Sequence, residues 1–320
     1  MTISLSDLMD ENAFEKDFEI DEGEHRKLAL ESGAISYKAL QKAKDMIKPG
    51  VKLIDVANAL ESFVTENGFD IAFPANISIN EQAAHYTPSF EDVKTFGEND
   101  IIKLDFGAGK HGVLADCAVT IDLSGNNQKL ADASYEALQN AISSVKAGVE
   151  VREIGREIER VAAKYGFKPI KNLGGHGVGI HDLHSSPFIP NYDNGDNTEL
   201  EEGTYIAIEP FLTTQQGRGM VINGDIVEIY AFSRPSGVRQ SASRTMLEAI
   251  QDKYQSEPFA LRWLSGMAKN KFELYLSIGE LLRAGAIEPF PVLVEGGNGI
   301  VAQSEAEMLV TKDGCEVLTK

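Results

Sequence analysis

The chain has 320 residues, 42% of them hydrophobic, enough to bury a large core, and no apolar run approaches the ~20 residues of a membrane-spanning helix. Two cysteines exclude a disulfide framework and fit a reducing compartment. A net charge of −19 argues against nucleic acid or an anionic membrane as a general partner, and equally suits a cationic substrate end or mere solubility.

Met1 to His25 holds nine Asp or Glu against one Lys, which predicts a loosely docked acidic tail over residues 1–24. The stretch lacks the basic start and apolar middle of a signal peptide, so a cytoplasmic location is expected. Beyond it the chain repeats itself. Tyr37-Lys-Ala-Leu-Gln-Lys-Ala, Lys48-Pro-Gly-Val, Glu61 and Gly68-Phe69 recur 98 residues later as Tyr135-Glu-Ala-Leu-Gln-Asn-Ala, Lys146-Ala-Gly-Val, Glu159 and Gly166-Phe167. Each copy reads as two amphipathic helices broken at Pro49-Gly50 or Ala147-Gly148, with apolar residues at helical spacing such as Leu53, Val56, Leu60 and Val64. A His-Pro loop follows in each copy, at His85 to Pro88 and at His184 to Pro187, and then an apolar strand ending in an acid, Asp105 or Glu209. Two copies are too few for a solenoid, which needs about three or more repeats.

Ile101 to Phe106 and Val113 to Ile121 are apolar runs with Gly107, Gly109 and Gly112 between them, a hairpin pattern. Closure between Lys110 and His111 would set Asp105 opposite Asp116 on one face, with Cβ atoms ~5 Å apart. Two carboxylates that close do not both ionise unaided. A pair of divalent cations ~3.5 to 4 Å apart would supply the missing charge. Solvated loop-edge aspartates are the plainer alternative; against it stand the apolar strands around them, where an unpaired charge is costly.

Asn172 to Ile180 places His176 among four glycines, which let backbone and substrate approach closely. A phosphate cradle would need a helix directly afterwards, and His181-Asp-Leu-His-Ser-Ser-Pro is no helix start. Thr204 to Pro210 reads as a strand with Tyr205, Ala207 and Glu209 on one face, and Ile300 to Val310 as another with Glu305 and Glu307 together; Glu307 is expected to be an exposed edge charge. Four carboxylates and one imidazole suit Mn, Fe, Co or Zn better than Ca or Mg.

The ordered set Asp105, Asp116, His176, Glu209 and Glu305 resembles the metal-ligand signature of the methionine aminopeptidases, and the wider match resembles their archaeal type 2 branch. It runs through Phe73-Pro-Ala-Asn-Ile-Ser-Ile-Asn-Glu-Gln-Ala-Ala-His85-Tyr-Thr-Pro, Leu104-Asp-Phe-Gly, Gly175-His-Gly-Val-Gly, Ala207-Ile-Glu-Pro-Phe and Ala302-Gln-Ser-Glu305. The resemblance implies an α+β pita-bread fold of duplicated half-units over 25–235 and 294–320, with a winged-helix-like helical insertion at 236–293. Helical patterns at about 243–254 and 271–284 fit that insertion. It carries seven Lys or Arg against six Asp or Glu, too balanced to read as DNA-binding.

By the same resemblance the chain is expected to remove the initiator methionine from nascent polypeptides when the next residue is small, as a cytoplasmic monomer in proximity to the ribosome. Two divalent ions, of Co, Mn, Fe or Zn, would be held by Asp105, Asp116, His176, Glu209 and Glu305 and would activate a water. Glu209 would act as acid and base, and His85 and His184 would flank the scissile amide. Phe73, His85, Leu183, His184 and Phe290 match the methionine pocket, and Ile229 stands near the place where eukaryotic members have a further histidine. The alternatives are a prolidase or aminopeptidase P, or a non-catalytic interaction protein on the same fold.

Overall fold

The computed structural model describes residues 20–320, so the acidic tail expected over 1–24 lies outside the described residues as far as residue 19. Its last positions are already helical. Helix α1 (Glu22–Lys44) opens on Asp21, whose carboxylate accepts the Glu24 N–H at 2.8 Å. In chain order follow α2 (Leu53–Glu66), β1 (Asp70–Ile79), β2 (Gln82–Ala84), β3 (Ile101–Lys110), β4 (Val113–Leu114) and β5 (Cys117–Asp122). The second half brings α3 (Gln128–Ser144), α4 (Val151–Tyr165), β6 (Lys168–Pro169), β7 (Gly174–Gly179), β8 (Asp182–Pro190), β9 (Tyr205–Ile208), β10 (Phe211–Thr213) and β11 (Val221–Phe232). Then come α5 (Ser241–Tyr254), β12 (Phe259–Ala260), a 3-10 helix (Leu261–Met267), α6 (Lys271–Ala284), β13 (Ile287–Glu295), β14 (Val301–Gln303), β15 (Glu305–Thr311) and β16 (Gly314–Val317).

The repeat seen in the sequence is a repeat of structure, since α2 and α4 begin the same 98 residues apart as Tyr37 and Tyr135. Each helical pair covers one part of a single antiparallel sheet of nine strands, ordered β1-β3-β5-β15-β9-β7-β8 with β4 and β16 attached. Leu53, Leu60, Leu104 and Phe106 close the first core; Ile154, Ile158, Ile206 and Met308 close the second. Each such side chain contributes about 1.5 to 3 kcal/mol when fully buried. Strand alternation turns the intervening residues, Asp105, Ala207, Glu305 and Glu307 among them, to the opposite face.

The hairpin of β3 closes one residue later than expected. Lys110 pairs with Val113, so the two-residue turn is His111-Gly112, both left-handed at φ 53° and 77°. A tight hairpin turn of this kind asks for φ above zero at both positions, which Gly112 adopts freely. Asp105 therefore faces Ala118 rather than Asp116, a shift of two that leaves both aspartates on the expected side.

The segment 236–293 packs around Met246, Ile250, Phe259 and Leu281, in a core that Tyr230 and Phe232 of β11 share. Asn270 caps α6 by accepting the Glu273 N–H, and Glu273 answers by accepting the Lys269 N–H. Its last strand is shared with the flanking chain: β13 joins the four-stranded sheet β12-β11-β13-β2, which begins before residue 236 and ends beside His85. Among the described residues no helix is long and apolar enough to cross a membrane.

Candidate metal centre

Strand pairing explains how donors as far apart in the chain as Asp105 and Glu305 come together. Asp105 of β3 lies opposite Ala118 of β5, and Ala118 lies opposite Glu305 of β15. Ala306 pairs with Ile208 of β9, and Gln303 of β14 pairs with Phe211 of β10 in the same register, which sets Glu209 opposite Glu305. That is one row across the sheet. Two residues along runs a second: Asp116 stands level with Glu307, Glu307 pairs with Ala207, and Ala207 pairs with His176 of β7. Rows two residues apart share a face and are separated by ~7 Å of backbone.

The strands expected at 204–210 and 300–310 are each broken at the site. Between β9 and β10 the chain leaves the nine-stranded sheet at Glu209-Pro210, and between β14 and β15 it enters it at Ser304, where the Ser304 N–H reaches the Pro210 carbonyl at 3.4 Å. Glu209 and Glu305 thus sit where two sheets separate and a side chain has room to turn inward. Glycine serves the same crowding around His176. A Cβ on Gly175 would collide with the Ala207 carbonyl, and one on Gly177 with the Ser186 carbonyl. The glycine run is a strand followed by the β7-β8 hairpin, with no helix to complete a phosphate cradle.

Asp116, His176 and Glu305 each offer a ligand atom, all within 4.8 Å of one another. The Gln303 amide gathers the remaining acids, lying 3.2 Å from Asp105 and 3.3 Å from both Glu209 and Glu305. An amide nitrogen has two protons for three carboxylates. Asp105 Oδ1, Asp116 Oδ1 and Glu305 Oε1 are buried without a hydrogen-bond partner among the described residues. Burial lifts the Asp105 carboxyl to about 7. Burial, then the neighbouring acids, push Asp116, Glu209 and Glu305 well above the carboxylate range. Such a set ionises when a cation joins it.

His176 is prepared for the same task. Its Nδ1 donates to the Gly177 carbonyl at 3.1 Å, which fixes the tautomer and turns Nε2, as a lone pair, toward Asp116 Oδ2 at 3.7 Å. Burial and then the nearby His184 hold its pKa down at about 3, so the ring is neutral and able to ligate.

All ten residues expected at the site line one cavity of about 490 Å³. His85, left-handed at φ 65°, donates its Nδ1 proton to the Pro291 carbonyl at 3.2 Å and meets Phe290 edge-on at 5.7 Å. His184 meets His176 edge-on at 4.6 Å. Phe73, Leu183 and Phe290 form an apolar wall, and Ile229, the register partner of Phe290, lies beside it.

The comparisons with known proteins agree with this geometry. Residues 27–231 match the model of metallopeptidase family M24. A methionine aminopeptidase of Archaeoglobus fulgidus is 43% identical over 93% of this chain and 99% of its own length. The chain belongs to metallopeptidase family M24, among the methionine aminopeptidases. The enzyme of that name from Methanocaldococcus jannaschii is 41% identical over 91% of this chain and 97% of its own. In structure, the M24 chain matches a methionine aminopeptidase of Thermotoga maritima with a TM-score of 0.67 at 24% identity, over 93% of this chain and 97% of that one, a likeness that shows the pita-bread fold. Divalent metal use comes with the family, and the unsatisfied acids and the neutral His176 fit it.

Two residues of this M24 site went unassigned in the sequence. Gln303 lies within the quoted Ala302-Gln-Ser-Glu305 stretch, but its contact with three acids depends on pairings that no local spacing shows. Glu307, expected as an exposed edge charge, is 1% exposed and accepts the Asp116 N–H at 2.9 Å. Its alternation with Glu305 was the signal; its neighbour Asp116, just before β5, was not visible.

Proposed function

We propose that this chain removes the initiator methionine from nascent polypeptides with two divalent ions held by Asp105, Asp116, His176, Glu209 and Glu305, and that the second residue must be small. The observation that carries the reading is the meeting of three carboxylates on Gln303 beside the Asp116-His176-Glu305 cluster, in a cavity with an apolar wall. Divalent ions bound there would supply Lewis-acid chemistry and lower the pKa of water. Glu209 would take the proton of the attacking water and return it to the leaving amine. His85 is neutral, since burial and then His184 hold its pKa at about 4. With its Nδ1 proton on Pro291, its Nε2 can accept the scissile N–H. His184, lowered by burial, retains one N–H for the developing oxyanion. Phe73, Leu183 and Phe290 offer a thioether the apolar slot it packs well in.

The rest of the reading includes work as a cytoplasmic monomer close to the ribosome, with the insertion at 236–293 as a separate module. The free thiols Cys117 and Cys315 fit a reducing compartment. Turnover of Met-Ala-Ser, Met-Leu-Ser and Ala-Pro peptides tests the function. Methionine should be released from the first far faster than from the second, with Glu209→Gln slower by about 10² to 10⁴. Preferred cleavage of the proline peptide would favour a prolidase, and unchanged activity in Glu209→Gln would remove the assigned base.

A further inference from the structure

A buried polar junction joins the inserted segment to the loop that carries His85. Arg262, in the 3-10 helix, is 7% exposed. Its Nη1 donates to Thr87 Oγ1 at 2.6 Å and to the Pro88 carbonyl at 3.1 Å, and its Nη2 pairs with Glu61 of α2. Thr87 passes its own proton to the Ala75 carbonyl at 2.8 Å. Glu61 also accepts the Ala75 N–H at 3.3 Å and the Trp263 indole N–H at 2.9 Å. One guanidinium therefore holds the two residues after Tyr86 and, through Glu61 and Thr87, the segment of β1 that enters the cavity at Asn76.

Docking alone does not call for this arrangement. An ion pair out of water loses hydration that an apolar pair of the same volume would not, so buried pairs are poor stabilisers. What the planar guanidinium provides is direction: several donors in fixed geometry, aimed at a hydroxyl and a carbonyl of one loop and at a carboxylate of α2. The loop it holds needs direction, because His85 stands two residues from Thr87 in a left-handed conformation that side chains rarely adopt. On its other side His85 is fixed by Pro291 and Phe290 of β13. The hold on the loop after His85 and the hold on its ring thus both come from residues between Leu261 and Pro291, within the segment 236–293.

We infer that Arg262 is a positioning residue for the reaction, acting through Thr87 and Pro88 to set the His85 imidazole against the scissile amide. The inference rests on the role proposed for His85. Docking of the insertion is then coupled to turnover, without any residue of the 3-10 helix touching substrate.

The test combines Arg262→Lys, which keeps the charge beside Glu61 but loses the fork, and the near-isosteric Thr87→Val with His85→Ala, in Mn-loaded enzyme turning over Met-Ala-Ser. Each single change should lower kcat by about tenfold or more, as small misplacements of a reacting group do, with KM and Mn content within about twofold. In the His85→Ala background the same changes should cost less than about threefold, because the group they place is gone. In metal-free protein, amide exchange of residues 84–87 should quicken while that of α5 and α6 holds. A slow His85→Ala enzyme that still loses the full factor on Arg262→Lys or Thr87→Val overturns this inference alone. A His85→Ala enzyme as fast as the parent removes the His85 assignment, and this inference with it.

Discussion

Glu307 shows how a single buried acid can serve a site without joining it. Its carboxylate, raised to about 8 by burial, accepts the Asp116 N–H, while its own N–H donates to Thr319 Oγ1 at 3.1 Å. It thereby ties the Asp116 backbone to the strand that carries Glu305. Glu307→Ala leaves that N–H without an acceptor, and metal affinity should fall about 10- to 100-fold, while Glu307→Gln, which keeps an acceptor oxygen, should stay within about threefold. Calorimetric titration with Mn reads both variants, and equal affinities in Glu307→Ala and the parent would remove the tie. Residue chemistry of this kind was half legible. The order Asp105, Asp116, His176, Glu209 and Glu305 stands in the sequence, whereas the burial of Glu307 depends on a neighbour 191 positions away.

Among the elements, regular ones were readable and interruptions were not. The helices α2 and α4 follow from apolar residues at helical spacing, and α5 and α6 fall where their patterns place them. The turn of the β3 hairpin lies one residue later than the sequence suggests, which shifts the pairing by two, because the sequence allows a positive φ both at Lys110-His111 and at His111-Gly112. The breaks at Glu209-Pro210 and Ser304 were hidden because each is set by a change of sheet. Another element-scale device is the loop around Glu295, which is 1% exposed. Its carboxylate accepts N–H groups from Gly219, Gly297 and Gly299 at 2.7 to 2.8 Å. Burial pushes this carboxyl up, but the backbone donors outweigh it and hold the pKa below the ordinary range. Glu295→Ala strands those donors, and urea unfolding should show a loss of about 3 kcal/mol. A loss within the error of the extrapolation would mean that the loop satisfies itself by other means.

At the scale of the whole molecule, duplication explains where the site lies. Each half-unit brings a helical pair, a histidine and a strand with an acid, and β5, β15 and β9 join the halves into one sheet whose far face holds the donors. The segment 236–293 carries Arg262 and most of β13, so the cavity wall at Phe290 and the placement of His85 both depend on a stretch absent from the repeat. The shared seam could be anticipated from the repeat; the junction at Arg262 could not, since Glu61, Thr87 and Arg262 are remote in the chain and each is ordinary in its own context. The most direct test of the account is anomalous diffraction from Mn-loaded crystals. Two peaks ~3.5 to 4 Å apart, enclosed by Asp105, Asp116, His176, Glu209 and Glu305, are the predicted result. Ordered Mn found only elsewhere on the protein, with these five side chains unligated, would contradict it.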